Sequence, residues 1–128
     1  MAGRSAKNGG VAVNAKVWLE REGQWLFGYG MVLILQAIDE HGSIKRAAEA
    51  MGQSYRHVWG RLRAAEQLLG KPLVVRQQGG RGSRRCELTE LGRELTNQFA
   101  EIRRTVKQAA RESFARSRLK RLLADGSS

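Results

Sequence analysis

Cysteine occurs once in these 128 residues, as Cys86. One cysteine closes no internal disulfide, so the chain is no disulfide-stapled secreted scaffold and suits a reducing compartment. Soft metal ligands are equally scarce. His41, His57 and Cys86 are the only ones, and their spacing fits no zinc pattern. Long hydrophobic runs are missing: Met31 to Leu35 is the longest, far below the roughly 18 residues that would suggest a membrane span. The first thirteen residues are polar and Gly-rich, without the apolar core of a signal peptide. At 14.3 kDa there is no room for a two-domain enzyme, a propeller or an eightfold β/α barrel. No enzyme is expected. Gly79-Gly80-Arg81-Gly82-Ser83 does not fit a phosphate-binding loop, and Ser43 and Ser54 have no base nearby in sequence.

Carboxylates are also in short supply. Asp and Glu number 12 against 23 Lys and Arg, a net charge of +11. Hydrophobic residues reach 41%, enough for a modest core. A soluble, cytoplasmic, basic protein follows, with nucleic acid as its default partner. The charge is uneven. Residues 53–86 carry eight basic and one acidic side chain, residues 103–121 again eight and one, and residues 87–102 between them one basic and four acidic. Solubility alone is the plainer explanation of either block, and weighs more for the second.

Residues 1–12 read as a flexible arm. Val11 to Glu20 alternates, with Val13, Ala15, Val17 and Leu19 on one side; Gly23 supplies a turn, and Trp25 to Phe27 returns as the second strand of a hairpin. Gly28 to His41 is a helix apolar on most sides, hence central to the core. Gly42 stops it and Ser43 caps the next helix, whose stripe is Ile44, Ala47, Ala48 and Met51. Gly52 ends that helix. Ser54 caps a third, running to Leu69 and closed by Gly70 and Pro72. Leu73 to Leu88 reads as two short strands around a Gly-rich loop. Thr89 caps a long helix with a near-heptad seam of Leu91, Leu95, Phe99, Ile102, Val106 and Ala109. Phe114 falls off that seam, so the helix should bend, end or change partner near residue 110. Residues 124–128 should fray.

The third helix has two faces. Val58, Leu62, Ala65 and Leu69 lie together, bordered by Tyr55, and should meet the core. Arg56, Gly60, Arg63 and Gln67 lie opposite, with His57 and Ala64 at one flank and Trp59 and Arg61 nearer the core edge. No carboxylate interrupts this outward face before Glu66. A glycine on a solvent face costs about 1 kcal/mol of helix propensity; here it would let a nucleic-acid backbone or base edge come close. Arginine donates in pairs to guanine in the major groove, and a capped helix N-terminus suits a phosphate. An ordinary solvated amphipathic helix is the plainer reading. Two neighbours weigh against it. A short helix precedes across the two-residue break Gly52-Gln53, and a basic hairpin follows with Arg76, Arg81, Arg84 and Arg85. The fold expected is mainly α with small β-hairpins: a winged helix-turn-helix over 13–88, its wing at 73–88, and a helix over 89–123 for dimerisation.

Gly42-Ser43-Ile44-Lys45-Arg46-Ala47-Ala48-Glu49-Ala50-Met51-Gly52, Ser54 through Gly70, Leu73-Val74-Val75-Arg76 and Leu88-Thr89-Glu90-Leu91-Gly92 resemble the DNA-binding domain of LysR-type regulators. The strand pair before the first helix, the Ser54-Tyr55 opening with Trp59, and the long Gly-rich wing followed by Leu-Thr-x-x-Gly are more similar to molybdate-responsive repressors of the ModE type. The likeness covers roughly residues 15–110. It implies a homodimer built from the first and last helices, reading a palindromic operator in double-stranded DNA. By position it implies contacts from Ser54, Tyr55, Arg56, Gly60 and Arg63 on the recognition helix and from Arg81 at the wing tip. Ser43, His57, Arg76, Arg84 and Arg85 complete the expected DNA contacts; Leu33, Leu95, Phe99, Ile102 and Val106 are the expected dimer contacts. Full-length molybdate regulators carry a further oxyanion-binding module, for which the residues after the wing leave no room. The expectation is therefore a regulator tied to molybdate uptake with no cofactor of its own, sensing through a partner protein if at all.

Three readings stand alongside. Trp18, Trp25 and Trp59 read as core or dimer contacts rather than a ligand cage. Cys86 reads as packed in the wing strand, with a redox-sensor role as the lesser alternative. A non-specific nucleoid or RNA-binding protein, or a protein-interaction module, remains the alternative function.

Overall fold

The computed structural model describes residues 10–78 and 84–124. The arm expected over residues 1–12 lies outside them except for its last three residues, as do the loop tip and all of the tail but Ala124. Two strands, β1 (Trp18–Arg21) and β2 (Gln24–Gly28), form an antiparallel hairpin closed by Glu22 and Gly23, both at positive φ. Three helices follow: α1 (Tyr29–His41), α2 (Ile44–Met51) and α3 (Tyr55–Leu69). A second antiparallel pair, β3 (Val74–Gln78) and β4 (Arg84–Leu88), leads into α4 (Glu90–Ala115) and the short α5 (Arg118–Leu122). No helix among the described residues is long and apolar enough to cross a membrane.

The hairpin is shorter than the alternation suggests. Residues 11–19 do alternate between half-buried and exposed, but pairing begins only at Trp18, opposite Gly28, where the partner strand runs out. An irregularity in register lets Leu19 pair with Phe27 and Glu20 with Trp25, leaving Leu26 as the extra residue of a bulge. Leu26 and Phe27 are consequently both buried, against strict alternation.

The chain divides into two compact units. One is Trp18–Glu101; the other joins the residues up to Val17 with those from Ile102 onward. In the first, α1 is central: Met31, Val32, Ile34, Leu35 and Ile38 are all buried. Ile44, Ala47 and Ala48 of α2, Val58, Leu62 and Ala65 of α3, and Leu73, Cys86 and Leu88 of the wing complete the core. Phe99 of α4 closes it, meeting Phe27 edge to face with ring centroids 5.4 Å apart. This corrects one expectation. Phe99 is 1% exposed inside its own domain, so it is spent on the core and has no surface to offer a second copy.

In the second unit the side chain of Lys107 donates to Asn14 Oδ1 at 2.7 Å and to the Ala15 carbonyl at 3.2 Å. α4 ends at Ala115. Ser117 then accepts from the Lys120 amide at 3.3 Å and starts α5, so the helix expected to run to 123 is two helices. None of α5 is buried.

Candidate nucleic-acid interface

Local chemistry sets the two central helices. Ser43 Oγ accepts from the Arg46 amide at 2.9 Å and opens α2; Ser54 Oγ accepts from the His57 amide at 3.0 Å and opens α3. Between them Gly52, at φ +70°, takes the left-handed conformation that ends α2, and the Gln53 amide returns to the Ala48 carbonyl at 2.9 Å. The two serine oxygens are committed as acceptors, but each hydroxyl keeps its proton to donate outward.

α3 then shows the two faces its sequence implies. Val58, Leu62 and Ala65 are buried, whereas Arg56, Gly60, Arg63 and Gln67 are exposed, as are Tyr55 and His57. Arg56 has no ion pair among the described residues. Arg63 lies 3.5 Å from Glu66 and 5.7 Å from the Trp59 ring, with its side chain about half exposed. Glu66 is itself only 12% exposed and is held by the wing, so Arg63 is the free end of this long pair. A Cβ built on Gly60 meets nothing within 4 Å. The fold therefore does not require glycine there.

The wing is braced at three points. Glu66 Oε2 accepts from the Leu73 amide at 2.7 Å and the Val74 amide at 3.4 Å, tying the start of β3 to α3. Thr89 donates from Oγ1 to the Pro72 carbonyl at 2.9 Å and accepts from the Gly92 amide at 3.0 Å, capping α4 while holding it to the entry of β3. A side chain at Gly92 would strike the Leu73 carbonyl, which accounts for the glycine of Leu-Thr-x-x-Gly. At the third point Arg85 Nη2 donates to the Asp39 carbonyl at 3.1 Å, its guanidinium occupying the space a side chain at Gly42 would need. Arg85 was expected to contact DNA; the structure engages it with the C-terminal end of α1. Arg93 adds an ion pair to Asp39 at 3.3 Å.

Arg76 is exposed on β3 and Arg84 opens β4. Arg81 lies outside the described residues. Of the remaining dimer candidates, Leu33, Ile102 and Val106 are exposed and Leu95 is half-buried. The tryptophans were expected to be core or dimer contacts: Trp18, Trp25 and Trp59 are 42 to 44% exposed, so none belongs to the core. Glu66, Thr89, Gly92 and Arg93 were not singled out beforehand as braces. Glu66 did carry a signal, as the one carboxylate in an otherwise basic stretch.

A capped pair of helices across a glycine turn, a basic outward face on the second helix and a braced hairpin beside it define a winged helix-turn-helix. Residues 31–93, just under half of the chain, match the family described as "Bacterial regulatory helix-turn-helix protein, lysR family". It is 37% identical over 68 residues to the Molybdenum transport protein ModE of Azotobacter vinelandii, covering 53% of this chain and 25% of that protein. Over 85 residues it is 34% identical to the Molybdenum-pterin-binding protein MopA of Rhodobacter capsulatus, covering 66% and 32% respectively. The HTH-type transcriptional regulator ArgP of Pseudomonas aeruginosa is 35% identical over 78 residues, covering 61% and 24%. Among solved structures, ArgP from Mycobacterium tuberculosis aligns with a TM-score of 0.47 and 29% identity over 65% of this chain and 29% of that one. The chain thus spans 24 to 32% of the length of these relatives.

Proposed function

We propose that this chain is a sequence-specific transcription regulator that binds double-stranded DNA as a homodimer. α3 lies in the major groove with Arg56 and Arg63 toward base edges, and the wing rests beside it on backbone or minor groove. One observation carries this reading: α3 buries Val58, Leu62 and Ala65 while presenting Arg56, Gly60 and Arg63 together on a face that has no carboxylate before Glu66. The major groove admits one such helix, and arginine reads guanine there through two hydrogen bonds. Ser43, Ser54, Tyr55, His57, Arg76, Arg81 and Arg84 are the supporting contacts, chiefly to backbone.

The dimer rests on apolar side chains left in water. Leu33, Ile102 and Val106 are each at least 40% exposed, apolar side chains that a second copy would cover. Light scattering at micromolar concentration should give about twice 14.3 kDa; the monomer mass would remove the dimer. Molybdenum in the names of two relatives, and transcriptional regulation in that of a third, support a role in molybdenum-linked gene control. Deleting the gene should then change the molybdate response of transcripts for molybdenum uptake.

Selection of bound sites from random duplex DNA, followed by footprinting, tests the whole reading. Two half-sites about 34 Å apart are expected. A single unsymmetric protected patch would contradict the dimeric reader, and no preference over random DNA would favour a non-specific nucleoid or RNA-binding role.

A further inference from the structure

Beside the outward face of α3 lies an open groove of about 440 Å³, bounded on one side by the N-terminal hairpin and on the other by α3. Trp25, Arg56, His57, Gly60 and Arg61 line it, and no carboxylate does. Arg61 makes a cation–π contact with Trp25, its Cζ 5.1 Å from the ring centroid. No ion pair to Arg61 exists among the described residues, although its side chain is half-buried. The stack has room because of two glycines at the hairpin–helix junction. The Trp25 ring edge stands 3.0 Å from where a Cβ on Gly28 would be, and Arg61 Nη2 stands 3.4 Å from where one on Gly30 would be. Trp25 remains 42% exposed, so the pair is not there to fill the core.

An arginine held against an indole by a cation–π contact loses side-chain freedom but keeps its charge and several N–H donors, which a phosphate can accept from. The groove is continuous with the face formed by Arg56, His57 and Gly60, so an occupant there extends whatever that face binds. It is open, as suits a polymer passing through rather than a small enclosed molecule. A helix in the major groove is flanked by the phosphates of both strands. We propose that the Trp25–Arg61 stack seats a backbone phosphate of the bound duplex, making the N-terminal hairpin a third DNA-contacting element beside the recognition helix and the wing. This rests on the DNA-binding reading above.

The test uses the full chain and a duplex selected from random DNA, with affinity followed across salt concentration. Arg61→Gln removes one phosphate contact, so the slope of log affinity against log salt should become shallower by about 0.9. Between about 50 and 200 mM salt the variant should therefore lose about 3.5-fold less affinity than the wild type. Trp25→Ala keeps the charge but removes its platform, and should weaken all duplexes alike by about threefold. An unchanged slope for Arg61→Gln overturns the proposal, as does unaltered binding by Trp25→Ala. A changed base preference for Arg61→Gln overturns it too, since that marks a base reader. If Arg61→Gln fails to fold by circular dichroism, Arg61→Lys decides: wild-type slope with about threefold weaker binding supports the seat, and wild-type affinity overturns it. Failure of the wild type to bind duplex DNA at low salt removes the DNA-binding reading itself. Normal wild-type binding with an unaltered slope in the variant removes the seat alone.

Discussion

Residues 53–86 and residues 103–121 carry the same charge, eight basic side chains against one acidic. The structure puts them in different settings. The first block sits on α3 and the wing of a unit with a full core, where α3 buries Val58, Leu62 and Ala65 and the wing is tied down by Glu66, Arg85 and Thr89. The second lies on the end of α4 and on α5, where no residue from Ile102 to Ala124 is fully buried. Charge attracts a polyanion in either setting. Only a rigid support holds an arginine closely enough to tell one base from another.

Truncation of the support should separate the regions most sharply. Phe99→Ala should cost about 3–5 kcal/mol of folding stability in denaturant titrations. Val106→Ala, one heptad along the same seam, should cost under about 1 kcal/mol in a dilute sample where the chain is monomeric. An equal loss at both would mean Val106 is covered within the chain. Next comes base reading. Arg56→Ala and Arg63→Ala should each lose about 1–3 kcal/mol of discrimination between the selected site and a site with one pair changed. Arg118→Ala, in the second block, should leave discrimination untouched. Uniform weakening by all three would reduce Arg56 and Arg63 to phosphate anchors.

Smaller effects sharpen the contrast. Gly60→Ala should raise thermal stability by about 1 kcal/mol, since a methyl there meets no neighbour, while weakening DNA binding. A stabilised variant that binds as before would show that nothing approaches Gly60 closely. Thr89→Ala removes a cap that also holds the wing and should cost about 1 kcal/mol. Ser117→Ala removes a cap of the same chemistry from α5, and the unfolding midpoint of the Trp18–Glu101 unit should not move.

The sequence was most readable where structure is decided locally. Ser43, Gly52 and Ser54 mark their helix ends through chemistry confined to three or four residues, and the inward and outward faces of α3 follow from helical period alone. It was least readable where a distant partner decides. One seam contains Phe99, Ile102 and Val106, and spacing cannot tell that the first is sealed against Phe27 while the others stay 40 to 45% exposed. Arg76 and Arg85 are both exposed basic wing residues; only the second is tied to the end of α1, because the Asp39 carbonyl, 46 positions away, accepts from it. The bulge at Leu26 upsets the alternation of β2, burying Leu26 and Phe27 together and leaving Trp25 exposed. Arg61 looked marginal at the core edge because its platform belongs to the hairpin.

Competition between a selected operator and random duplex at one fixed salt concentration addresses the central claim most directly. A chain that reads sequence through Arg56 and Arg63 should prefer its operator by about a thousandfold or more, and Arg56→Ala should shrink that preference. A ratio near one, with binding that falls steeply as salt rises, would contradict it and leave only a basic surface attracted to any nucleic acid.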